Sequence, residues 1–127
     1  MKATMLLRIA SLLTLFQYGA HAYLFLSAVS SPAPTFGYGL MAILSGFVAA
    51  VLLWLLAALS RSGAKLVLPF VALLTVANLL HALLAWRYFG LLAPVIFDLL
   101  IAVILTLTFV IEYRNPARVR ESFSARQ

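Results

Sequence analysis

Two histidines and one aspartate, His21, His81 and Asp98, stand inside long apolar runs of the chain. An imidazole beside a carboxylate in a dry setting exchanges protons, with the acid orienting the ring and stabilising its charged form. Those residue types suit a sterol- or lipid-isomerising reaction on an apolar substrate. Two histidines at one depth on different helices would alternatively be axial ligands to a b-type haem, the cofactor then setting the chemistry. A haem also requires small residues for ring clearance and basic partners for its propionates, and only Ala82, Ala85 and Arg87 offer them. Asn78 lies three residues before His81 and shares its helix face. Polar groups in hydrocarbon are costly, so His21, Asn78, His81 and Asp98 form the candidate buried polar cluster. The bland alternative is interhelical glue, whose hydrogen bonds average about 0.6 kcal/mol.

The elements that must position these side chains follow from composition. The 127 residues are 65% hydrophobic and 9% charged, with a mean hydropathy of +1.12. A soluble domain carries about 25% charged residues, so the expectation is a single integral membrane domain. With no cysteine, disulfides, thiol redox chemistry and Cys-ligated metals are excluded, and no metal site is expected. The net charge of +6 raises nucleic acid as a partner, but the basic residues gather at helix ends rather than along a stripe, and topology explains them better.

Four spans are predicted, at about residues 5–29, 40–60, 66–88 and 91–113, each near the 20 residues that cross a bilayer. A basic start and the Ala20-His21-Ala22 triplet also fit a cleaved signal peptide, but the apolar run continues to Ala28, which favours a span. The segment SSPAPTFGYG at 30–39 reads as the first external loop, residues 61–65 as a basic turn, Phe89-Gly90 as a short turn, and Asn115-Pro116 as the end of span four. Residues 114–127 form a polar, basic tail. The fold class is therefore an all-α transmembrane four-helix bundle.

Eight of the nine Lys and Arg residues fall on one side, at Lys2, Arg8, Arg61, Lys65, Arg114, Arg118, Arg120 and Arg126. The positive-inside rule then places both termini in the cytoplasm, and Arg87 alone outside. Trp86, Arg87 and Tyr88 serve as an interfacial anchor, with Tyr23 and Tyr38 nearby in an aromatic belt.

Helical spacing gives each polar residue a direction. Arg8, Ser11, Thr14, Tyr18 and His21 form one stripe on span one. On span three, Thr75, Asn78, His81, Ala82 and Ala85 face inward while Leu73, Val76, Leu80 and Leu83 face lipid. Span four carries Pro94, Asp98, Ala102, Leu105, Phe109 and Glu112. Arg8 to His21 covers roughly 20 Å and Asp98 to Glu112 roughly 21 Å on antiparallel helices. His21 thus falls level with Asp98, in the outer half of the bundle, and Arg8 with Glu112 as a separate structural ion pair. On span two, Ala42, Gly46 and Ala50 recur every four residues, a small-residue line suited to close helix packing or to a homo-oligomer contact.

The stretches LLRIASLLTLFQYGAHAYLF at 6–25 and LLHALLAWRYFGLLAPVIFDLLIAVIL at 79–105 resemble small four-span bacterial membrane proteins of the DoxX-like kind, in span layout and in the aromatic and proline joint between spans three and four. The resemblance implies a bundle in the bacterial inner membrane and no activity. The expected role is a non-catalytic accessory or structural subunit of a larger inner-membrane complex, with the lipid bilayer and other membrane subunits as partners. The alternative is a small membrane enzyme, or a protein binding haem, lipid or another apolar ligand through the His and Asp cluster.

Overall fold

In the computed structural model, residues 2–28, 36–62, 65–90 and 92–114 are described. They fold into helices α1 (Ala3–Ala28), α2 (Phe36–Arg61), α3 (Val67–Leu84) and α4 (Leu92–Tyr113), with a π-helical turn at Ala85–Phe89 closing α3. All four helices are long and apolar enough to cross a membrane. Pro69 and Pro94 are each the third residue of their helix, where a missing N–H removes only an orphan donor. The π turn ends at Gly90, whose φ of 59° is left-handed and whose N–H donates to the Trp86 carbonyl at 3.1 Å. Glycine reaches that conformation without a Cβ penalty.

Two boundaries differ from the sequence expectation. Helix α2 begins at Phe36, inside the segment expected as loop. Two glycines in a first turn cost a helix about 1 kcal/mol each relative to Ala, which a long apolar helix absorbs. Helix α3 gives way at Ala85 to the π turn instead of running on to Tyr88 as α-helix. The rest of the expected first loop (29–35), the tail beyond residue 114, and the Tyr38 and Tyr88 side chains lie outside the described residues.

Helix α1 packs against both α2 and α4, and α3 packs chiefly against α4, while α2 and α3 touch only lightly. The bundle therefore has a groove between α2 and α3. Its interior has two storeys. Leu7, Ala10, Leu53, Leu56, Ala57, Val67, Val71, Ile101 and Leu105 form an apolar core toward the end that holds residue 2. Gln17, His81 and Asp98 lie in the other storey, nearer Gly90.

Two residues of the small-residue line of α2 pack within the chain. Gly46 is covered by the Tyr18 ring, which a Cβ there would strike, and the Ala50 carbonyl accepts a bond from Ser11 Oγ at 2.7 Å. Only Ala42 of the three is exposed. Gly46 and Ala50, two of the three residues expected to serve close helix packing or a homo-oligomer contact, thus lie in the α1–α2 seam.

Candidate functional site

Asp98 is the centre of the polar storey. It sits six residues into α4, about 9 Å along the axis from Leu92, and is 1% exposed. Helix α1 approaches from one side and supplies Gln17, 2% exposed, whose Nε2 donates to Asp98 Oδ1 at 3.0 Å. Helix α3 approaches from the other and supplies His81, whose Nδ1 lies 2.6 Å from Asp98 Oδ2. Each carboxylate oxygen thus has its own partner, from helices that hardly meet otherwise. An ionised carboxylate only accepts, so with Asp98 charged the Nδ1 of His81 carries the proton. Nε2 then remains as the free basic position of the ring.

The two members of the pair differ in access. The Asp98 side chain is 1% exposed and that of His81 is 40% exposed. His81 lines the groove between α2 and α3, a space of about 260 Å3 bordered also by Tyr18, Ser45, Ala49, Ala77 and Asn78. The groove exists because residues facing it are small and because Tyr18 rises from α1 as its floor. The Tyr18 ring lies 6.0 Å from the His81 ring and 5.8 Å from the His21 ring, both tilted. The glycine at 46 is what lets Tyr18 lie there.

The remaining candidates take separate positions. His21 turns back along its own helix, with Nδ1 2.7 Å from the Gln17 carbonyl, and its ring neighbours Tyr18 rather than bonding Asp98. Weighed as joint haem ligands, the two histidines share Tyr18 as an aromatic neighbour. Asn78 donates from Nδ2 to the Leu74 carbonyl at 2.8 Å and borders the groove. Among the described residues, no group of three or more His, Asp or Glu side chains is arranged to hold a metal ion.

Arg8 and Glu112, expected as an ion pair, meet different residues of α2. The Arg8 guanidinium lies over the Trp54 ring, 5.2 Å from its centroid, and Glu112 Oε1 accepts from Ser60 Oγ at 2.5 Å. Helix α2 thus supplies a contact to each. Trp86 and Arg87, expected as part of an interfacial anchor, are exposed in the π turn that follows α3.

Gln17 is the residue that the sequence reading passed over. The spacing of polar residues predicts a stripe through Tyr18, whereas the buried line on α1 runs Ala3, Leu7, Ala10, Thr14, Gln17 at alternating steps of four and three. An amide on that line was the available signal. Comparison with protein-family models, with curated proteins and with solved structures gives no match.

Proposed function

We propose that this chain is a multi-pass protein of the bacterial cytoplasmic membrane, with both termini inside, that binds an apolar-bodied ligand in the groove between α2 and α3 and exchanges a proton or hydrogen bond with its polar head through His81. One observation carries the reading. A carboxylate that is 1% exposed orients an imidazole that is 40% exposed and borders an open groove. Interhelical glue has no use for an accessible ring, whereas a ligand site needs one reachable group held by a second that is not. Orientation follows from the eight cationic residues at the ends expected to be cytoplasmic.

The chemistry at His81 is limited to what its free Nε2 can do. It accepts a proton or hydrogen bond from a hydroxyl or an acidic C–H on the ligand, and Asp98 stabilises the imidazolium that results. Gln17 holds the second carboxylate oxygen so that Asp98 cannot rotate away. Tyr18 supplies an aromatic floor, and Asn78 and Ser45 line the polar side of the same groove.

The test is the molecule retained by the protein after gentle extraction from its native membrane, identified by mass spectrometry for the wild type and for Asp98→Asn and His81→Gln. The expected result is an amphipathic compound bound to the wild type and lost from both variants while their helical content is kept. The same lipids on all three proteins would count against the reading.

A second reading is the accessory subunit. Ser45, Ala49 and Ala77 give the groove walls a small-residue character, which admits a partner's helix backbone at close range. A stoichiometric membrane protein co-purifying with the wild type and lost on Ala77→Leu would favour that role over a ligand site.

A further inference from the structure

The opposite end of the bundle holds a second polar opening, unrelated to the groove. Lys2, Thr4, Met5, Arg8 and Arg61 border a space of about 520 Å3 where the start of α1 meets the end of α2. Three of the five are cations and none is acidic. Glu112 accepts from Ser60, the residue before Arg61, and is not among the residues that border the opening. Like charges gathered in this way repel unless an anion is shared among them.

Arg8 is the informative member. It lies five residues into α1, about 8 Å along the axis from Ala3, and only part of it is exposed. Its Nε is buried without a hydrogen-bond partner among the described residues, and its guanidinium rests on Trp54. An aromatic face satisfies the charge but none of the five N–H donors. A planar fork whose Nε has no partner among the described residues, flanked by two exposed cations at the level where a span meets headgroups, matches the geometry of a phosphate oxyanion.

We infer that this opening binds a phosphate anion, presented as the headgroup of an acidic phospholipid of the inner leaflet, with Arg8 as the seat and Lys2 and Arg61 as flanking charges. Met5, which is 54% exposed, stands on the side where the glycerol and acyl chains would lie. Basic pockets between spans on the cytoplasmic side recognise acidic headgroups by the same means. The assignment rests on the membrane reading above and is independent of the ligand groove.

Trp54 reports on the site directly. The chain has two tryptophans, so the full-length Trp86→Phe protein in neutral detergent carries Trp54 alone. Short-chain phosphatidylglycerol should change its emission saturably, as Arg8 leaves the ring for the phosphate, and short-chain phosphatidylcholine should act at least tenfold more weakly. Lys2→Gln and Arg61→Gln alter exposed residues outside the core, and each should weaken the phosphatidylglycerol response about fivefold. Equal responses to the two lipids, or no effect of either variant, would overturn the proposal. Inorganic phosphate at millimolar concentration is expected not to compete, and competition at the same affinity would overturn the lipid source in favour of a free anion. Reconstitution into purely phosphatidylcholine vesicles scores the membrane reading separately, since it requires insertion but no acidic headgroup.

Discussion

Asp98 and His81 are joined at 2.6 Å across the α3–α4 seam, with the acid sealed inside the bundle and the imidazole open to the α2–α3 groove. The pair therefore has a fixed side and a working side. Removing each member has a different structural consequence.

Asp98→Ala leaves Gln17 Nε2 and His81 Nδ1 without their acceptor inside the bundle. Hydrogen bonds between membrane helices average about 0.6 kcal/mol and reach about 1.7, so two lost bonds should cost on the order of 1–3 kcal/mol in reversible unfolding. Asp98→Asn keeps one acceptor oxygen and should cost less than half as much. His81→Gln, at a part-exposed position, should be close to neutral for stability while abolishing ligand retention.

Gly46 and Tyr18 form the second test. A Cβ at 46 meets the Tyr18 ring, so Gly46→Ala should destabilise by about 1–3 kcal/mol, the range for overpacking. Tyr18→Leu shortens the side chain and should relieve most of that cost. A double-mutant cycle by thermal unfolding in detergent should show coupling of more than about 0.5 kcal/mol, and simple additivity would mean that the ring does not sit on Gly46.

Ser11 tests the α1–α2 seam. Its Oγ donates to the Ala50 carbonyl at 2.7 Å and it is 5% exposed. Ser11→Ala keeps the packing and removes the bond, so a loss near 0.6 kcal/mol is expected. Ser45→Ala, where the hydroxyl bonds only its own helix at Ala42, should be neutral within about 0.5 kcal/mol.

Much of the candidate site was legible in the sequence. His81 and Asp98 stand out because ionisable groups are rare in apolar helices, and counting rise per residue set them at similar depths. The lipid face of α3 was equally readable: Leu73, Val76, Leu80 and Leu83 are all more than half exposed. What could not be read was helix adjacency. The polar stripes give each helix a direction but name no neighbour, so no periodicity says that α1 lies between α2 and α4 or that α2 and α3 stand apart. The contacts of the polar side chains depend on that adjacency. Helix α2 offers Trp54 to Arg8 and Ser60 to Glu112. His21 shares the depth of Asp98, but Gln17, one step away on the buried line, holds that direction.

The most direct measurement is the tautomer of His81, read by nitrogen NMR of imidazole-labelled protein in lipid, with His21→Gln removing the second ring. With Asp98 accepting at Nδ1, the wild type should show a proton on Nδ1 and a basic, unprotonated Nε2 in the neutral ring. Asp98→Leu should return the ring to the Nε2–H form that a free imidazole prefers. A wild-type His81 already in the Nε2–H form, unchanged by Asp98→Leu, would contradict the claim that the buried acid holds the open imidazole ready for a ligand.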